Sequence, residues 1–133
     1  MDHLVSEIAP RGTQLAELLS SSLKKSRELD RGNAQPRSLA SDFGRLGLRL
    51  WPALLVKDSQ TEQLKESLQA LNRARNAIAH AEDHQLAALA DEGYPMRLAT
   101  VRRWHGHLGR LAGSMDVVVA ESLAPLTEKP APW

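Results

Sequence analysis

The sequence predicts an all-α fold, an antiparallel bundle of four main helices with an additional short helix. Leucines and other apolar residues recur at intervals of three and four along several segments, which is the spacing of one helix face. Strand patterns are nearly absent, since the run 117–119 of three valines is short and lies inside a helical pattern. Turns rich in glycine and proline separate the segments, so that successive helices can pack against one another.

The first half of the chain predicts one regular helix and one irregular region. After Gly12, one helix face carries Leu15, Leu18, Leu19 and Leu23. This helix should end in the polar loop 30–36. The segment 39–55 is apolar but contains Gly44, Gly47 and Pro52. We expect one short helix there, with irregular chain around it.

The second half predicts three helices. Ser59 and Glu62 have the spacing of a capping box, so a helix should start there. Its apolar face carries Leu64, Leu68, Leu71 and Ile78, with Arg75 on the same stripe. A short helix is expected over 84–90, before the turn at Gly93-Tyr94-Pro95. A last long helix should run from Met96 or Thr100 to Leu123, with one side formed by Val101, Trp104, Leu108, Leu111, Met115 and Val118.

The last helix has a second face, which we call the glycine face. It consists of Arg102, Gly106, Gly109, Gly113, Val117 and Ala120. Each interior glycine destabilises a helix by about 1 kcal/mol relative to alanine, so small residues there need another reason. The face therefore predicts a second packing surface, either for another helix of the bundle or for a second subunit.

Length and composition limit the classes of function. The 133 residues predict a single domain over 1–133, with about 1–11 and 125–133 flexible. The net charge of +1 means that nucleic acid could bind only through a local basic patch. Without cysteine there is no disulfide, thiolate catalysis or cysteine-based zinc site. No apolar run is long enough to span a membrane and no signal peptide is recognisable, so we expect a soluble cytoplasmic protein.

The residues best suited to catalysis lie in the run 73–80, Arg-Ala-Arg-Asn-Ala-Ile-Ala-His. Metal-independent RNA cleavage needs a base for the 2′-hydroxyl proton, an acid for the leaving oxygen and a cation for the phosphorane. Histidine serves as acid or base, and arginine holds phosphate oxygens. Asparagine can orient the imidazole or donate to phosphate. The structural alternative is a helix end with a histidine near its C-terminal dipole and an arginine that packs along an apolar stripe.

Helical geometry restricts how this run could form a site. Arg75 and His80 are five residues apart, or about 140° around a continuous helix. Arg73, Asn76 and His80 share the polar face instead. A site with Arg75 and His80 thus requires the helix to end or distort near Ala79, or a second subunit. Arg73 is the alternative residue for holding the phosphate.

Arg75-Asn76-Ala77-Ile78-Ala79-His80 resembles the signature of HEPN domains, small all-α domains of many bacterial toxins and RNA-processing proteins. The resemblance implies a homodimer with a shared cleft, metal-independent endoribonuclease activity and no cofactor. A role as a toxin with an antitoxin partner is among the functions it implies. Arg75 would then stabilise the scissile phosphate, Asn76 would orient the site, and His80 would be the acid or base. Some toxin members carry a tyrosine two residues after the histidine, a target of a nucleotidyltransferase antitoxin; Glu82 stands here, so such a partner is not implied.

Further candidates lie in the segment 96–115, which is basic and has no acidic residue. Arg102 and Arg103 could contact an RNA backbone there, or the segment is a solvated basic face. The histidines at 80, 84, 105 and 107 lack a metal-binding pattern, so no metal site is expected. Trp51 and Trp104 are expected in the core. The alternative functions are a non-catalytic helical dimerisation module that binds RNA or a protein partner, and a transcription regulator, which the lack of a recognition-helix pattern disfavours.

Overall fold

The computed structural model describes residues 34–127 and, before them, residues 14, 16–22, 24 and 25. The chain is all-α, and no strand occurs among these residues. Residues 14, 16–22, 24 and 25 are helical, as the leucine spacing predicted; Leu15 and Leu23 lie outside the described residues. Five helices follow: α1 Pro36–Arg45, α2 Leu50–Lys57, α3 Thr61–Ala79, α4 Asp83–Asp91 and α5 Leu98–Thr127.

The helix α3 lies at the centre of the described part and contacts the four others. The helix α5 packs along α3 and α2, and α1 packs on α2. These contacts agree with a bundle, and the antiparallel four-helix arrangement itself stays a prediction. The segment α4 is a single short helix against α3, at the position where the sequence predicted one.

The irregular region predicted over 39–55 is wrong, because two helices occupy it. Pro36 stands in the first turn of α1, and Pro52 in the first turn of α2. Backbone N–H groups there have no partner within the helix, so proline is tolerated. Gly44 continues α1, and only Gly47, with a φ of +80°, marks the break between the two helices. A left-handed backbone of this kind favours glycine.

The predicted capping box at Ser59 does not form. The helix α3 starts at Thr61 after Gln60, whose side chain makes no capping hydrogen bond. Asp58 holds this turn instead: its side chain accepts the backbone N–H of Gln60 at 2.9 Å, and its carbonyl accepts the Thr61 hydroxyl at 2.6 Å. Because Arg110 of α5 also binds the Asp58 carboxylate, a tertiary ion pair fixes the start of α3.

The main core joins α1, α2, α3 and α5. Its buried residues are Leu39, Leu50, Trp51, Leu54, Leu64, Leu68, Leu111 and Val118. Trp51 belongs to it, as expected, and its indole N–H donates to the carbonyl of Pro36 at 2.9 Å. The members from α3 and α5 lie on the predicted helix faces, whereas those from α1 and α2 come from the apolar segment that was expected to be partly irregular.

A second core lies between the C-terminal half of α3, α4 and the start of α5. Its buried residues are Ala70, Ala74, Leu89 and Trp104. Trp104 is buried as expected and stacks on Tyr94 with ring centroids 6.0 Å apart. In this half of α3 the inward positions are alanines, and their small side chains let α4 and α5 each approach α3 closely. The apolar stripe with Leu71 and Ile78 therefore points away from the centre of this core. Consequently Ile78, on the predicted apolar stripe, is 58% exposed.

The last helix is longer than predicted, because α5 continues past Leu123 to Thr127 with Pro125 inside it. The flexible segment predicted over 125–133 is therefore helical at 125–127. The ranges 1–11 and 128–133 lie outside the described residues.

Candidate functional site

The run with Arg75, Asn76 and His80 forms the C-terminal end of α3. The backbone N–H of His80 still donates to the carbonyl of Asn76 at 3.0 Å, and the helix ends there. Ala81 then takes a left-handed φ of +53°, and the N–H of Glu82 returns to the carbonyl of Ala77 at 2.8 Å. This is a Schellman ending, usually made with glycine at the left-handed position. The helix thus ends at Ala79, one of the two conditions that geometry set for a site with Arg75 and His80.

Arg75 projects from α3 into an open groove between α3 and α5. The groove has a volume of about 420 Å³ and is lined by Leu71, Ala74, Arg75, Ile78, Met96, Val101, Trp104, His105 and Leu108. Arg75 is exposed, and its guanidinium makes no hydrogen bond or ion pair with the described residues. Its five donors are therefore available to an external anion.

His80 does not line this groove. It is exposed at the end of α3, and its side chain has no hydrogen-bond partner among the described residues. Asn76 is half-buried and interacts within the chain. One copy of the protein consequently presents Arg75 and His80 on different sides of the same helix end. The histidine that shares the groove with Arg75 is His105 of α5.

Arg73, the alternative phosphate-binding residue, is held by an acid. It lies on another side of α3 and makes two hydrogen bonds to the Glu92 carboxylate, at 2.6 and 2.9 Å. The hydrogen bond from Arg73 lowers the pKa of Glu92, and the same bond raises the pKa of Arg73. A bidentate pair uses the donors with which arginine would bind phosphate. Of the two arginines, Arg75 is thus the one free to bind.

Arg102 and Arg103 differ in the same way. Arg103 donates to the carbonyl of Gly93 at 2.7 Å and lies 4.8 Å above the ring of Tyr94. It supports the turn between α4 and α5. Arg102 is exposed, without a side-chain partner among the described residues. Arg102 and Arg75 therefore remain candidates for anion binding, whereas Arg103 has a structural contact.

The glycine face of α5 is open in the part of the chain that the structure describes. A Cβ atom built at Gly106, Gly109 or Gly113 would meet no atom within 4 Å. No described residue therefore accounts for the three glycines, and a second subunit on this face stays a prediction.

Three polar residues whose contacts were not predicted from the sequence fix the helices around the site: Asn72, Ser67 and His107. Asn72 is buried and donates to the carbonyls of Ala34 and Leu68, both at 2.9 Å. Ser67 bonds to His107 Nδ1 at 2.6 Å, which joins α3 to α5. The sequence did contain a signal for these contacts, because the three residues lie at inward positions of helices that also carry core leucines.

The histidines and acids of residues 14, 16–22, 24, 25 and 34–127 form no group of three or more that could hold a metal ion. His105 faces the groove whereas His107 bonds to Ser67, so the two diverge as their spacing in a helix requires. None of the helices in the described ranges combines the length and apolarity that crossing a bilayer requires.

Comparison of the chain with family models, with curated proteins and with solved structures finds no match.

Proposed function

We propose that this protein is a metal-independent endoribonuclease of the HEPN type, with a composite site at the cleft of a homodimer. The observation that carries the proposal is the division among its arginines. Arg73, Arg103 and Arg110 are engaged by Glu92, Gly93 and Asp58. Arg75, the arginine of the HEPN-like run, is exposed and has no partner among the described residues.

The chemistry is a transfer at phosphorus. The 2′-oxygen of the RNA attacks the adjacent phosphorus while a base removes its proton, and the bond to the 5′-oxygen breaks as an acid protonates that oxygen. The products are a 2′,3′-cyclic phosphate and a 5′-hydroxyl. Arg75 would bind the non-bridging oxygens as negative charge grows on them. His80 would transfer one of the protons, and Asn76 would keep the helix end in place.

A second subunit completes the site, because one copy presents Arg75 and His80 on different sides of the helix end. The open glycine face of α5 supports association with a second copy, since small residues let a second backbone approach. A symmetric pair would place each surface against its own counterpart. A role as a toxin, with an antitoxin partner, belongs to this proposal only through the HEPN resemblance.

The test is cleavage of structured RNA in EDTA by the wild type and by Arg75→Ala and His80→Ala. Each variant should lose about 100-fold or more in rate, because each removes a group that acts only in the transition state. His84→Ala is the matched control, an exposed histidine just beyond the site, and it should keep wild-type activity. Equal cleavage by all four proteins, with unchanged circular dichroism, would mean a contaminating nuclease and would refute the proposal.

The second candidate is a non-catalytic helical module that binds RNA or a protein partner. The apolar lining of the groove favours it, because only Arg75 and His105 among the lining residues are charged or titratable. Failure of cleavage together with retained binding of a partner would favour this function over the enzyme.

A further inference from the structure

The groove between α3 and α5 has the shape of a helix-binding groove. On α3 its wall is Leu71, Arg75 and Ile78, and on α5 it is Val101, His105 and Leu108. Both walls follow the four-and-three spacing of a helix face, so the groove runs between two ridges. An amphipathic helix uses the same spacing when it places its apolar side in a groove.

The apolar part of the groove is exposed to water. Ile78 is 58% exposed, Val101 48% and Met96 42%, and they border one continuous surface. A contiguous apolar patch on a folded domain marks an interaction site. RNA bases are bound by stacking on aromatic rings or on arginine and by hydrogen bonds. Trp104 is only 3% exposed, so Arg75 and His105 are the stacking groups in a lining that is otherwise aliphatic, and this lining favours an apolar helix over bases.

The two walls of the groove carry no negative charge. The segments 67–79 of α3 and 96–115, which includes the first half of α5, contain no acidic residue. Arg75 lies in the groove, and Arg97 lies one turn before Val101. Both are exposed and have no side-chain partner among the described residues. A ligand that fills the groove would thus meet uncompensated positive charge.

We infer that the groove between α3 and α5 binds an acidic amphipathic helix of a protein partner. Leucine-like residues of that helix would cover Ile78, Val101 and Met96, and its flanking carboxylates would pair with Arg75 and Arg97. This inference concerns binding and does not depend on the proposed ribonuclease activity. If both hold, the bound helix covers Arg75 and blocks its access to RNA.

The test is binding of two designed peptides, measured by fluorescence anisotropy. Both carry leucine at i, i+4, i+7 and i+11 and are about 18 residues long, since shorter helices are marginal in water. One has glutamate at the flanking positions and the other lysine. The acidic peptide should bind at least about tenfold more tightly, and the difference should shrink with added salt.

Paired variants locate the binding site. Ile78→Ser and Val101→Ser should each weaken the acidic peptide by about tenfold, through lost apolar contact. Arg75→Gln and Arg97→Gln should each weaken it by about threefold, the effect of an exposed ion pair. Val56→Ser and Arg37→Gln are the matched controls: both residues are exposed outside the groove, and both variants should bind as the wild type does.

Several results would overturn the inference. The lysine peptide could bind as tightly as the glutamate peptide, the controls could lose as much affinity as the groove variants, or neither peptide could bind. If the protein is a dimer and Val101→Ser dissociates it, the groove is the interface with a second copy. If an RNA oligonucleotide binds the wild type but neither Ile78→Ser nor Val101→Ser, the groove is a nucleic-acid-binding site. RNA cleavage by the wild type is scored separately, so failure of either proposal is recognised by itself.

Discussion

The polar residues of this protein act in pairs between helices. Arg110 of α5 binds the Asp58 carboxylate with two nitrogens and also donates to the Gln60 side chain at 2.6 Å. Asp58 is buried at the turn before α3, so this contact joins the start of α3 to the middle of α5. The ion pair would be hard to predict from sequence, since the two residues are 52 positions apart and neither belongs to a motif.

The pairing of Asp58 sets a pH dependence of stability. The hydrogen bond from Arg110, with that from the Gln60 backbone, lowers the pKa of Asp58 below its usual 3.8. A carboxyl group with a lowered folded-state pKa stabilises the fold above its unfolded pKa, and this stabilisation is lost as the pH falls through the folded pKa. We expect the free energy of unfolding to decline below about pH 4. Asp58→Asn should lower it at pH 7 and flatten the acid decline, as measured by urea unfolding from pH 7 to pH 2. A variant that declines as steeply as the wild type would contradict this role of Asp58.

At the scale of one helix, the ending of α3 is less favourable than it could be. Ala81 occupies the left-handed position of the Schellman ending, where a side chain is destabilising by about 1–2 kcal/mol. Ala81→Gly relieves this strain, and it also increases the freedom of the unfolded chain by about 0.4–1 kcal/mol. We expect a net gain of about 0.5–1 kcal/mol in urea unfolding. Ala79→Gly, in the last turn of α3, is the control and should destabilise. Loss of stability in Ala81→Gly would contradict the left-handed ending.

The short helix α4 is held mainly by one side chain. Leu89 is completely buried between α3 and α5, against Ala70, Ala74 and Trp104. Leu89→Ala should lower the free energy of unfolding by about 2–5 kcal/mol, because it leaves a cavity in a core with small neighbours. Leu98→Ala removes the same atoms from a side chain that is 63% exposed and should change stability little. Equal effects of both changes in thermal unfolding would show that Leu89 does not anchor α4.

The glycines of α5 give opposite expectations for a monomer and for a dimer. In one copy, a methyl group at Gly109 meets no atom of the described residues within 4 Å. Gly109→Ala should therefore stabilise the monomer by about 0.5–1 kcal/mol through helix propensity. If the glycine face packs on a second copy, the same methyl group weakens that dimer. Size-exclusion chromatography with light scattering, over a range of concentrations, separates the two effects. A dimer that Gly109→Ala leaves unchanged would place the interface elsewhere.

At the scale of the whole molecule, the apolar spacing was enough to predict the all-α class and the positions of most helices. It predicted the apolar faces that carry Leu64, Leu68 and Leu111, the burial of Trp51 and Trp104, and the turn at Gly93. It did not predict the two helices around Gly44 and Pro52, because the cost of glycine and proline depends on their place within a helix. Contacts such as that of Ser67 with His107 depend on how two helices pack, and the apolar pattern of one helix does not contain this information.

The residues of the candidate site were chosen from the sequence, and their arrangement could not be predicted from it. The run 73–80 stands at the end of a helix, but the ending at Ala79 leaves His80 outside the groove that Arg75 lines. Which arginine is free could not be read from the run, because Glu92 lies 19 positions after Arg73. The groove could not be predicted either, since Ile78 and Val101 have the spacing of core residues. They are exposed because alanines, and not Ile78, face the second core.

We propose that Arg75, and not Arg73, holds the phosphate of a cleaved RNA. The most direct measurement compares Arg75→Ala with Arg73→Ala in single-turnover RNA cleavage in EDTA, at a temperature at which both variants are folded. We predict that Arg75→Ala loses about 100-fold or more in rate, the usual effect of removing one transition-state donor, while Arg73→Ala stays within about threefold of the wild type. Loss of cleavage in Arg73→Ala with retention in Arg75→Ala would contradict this account.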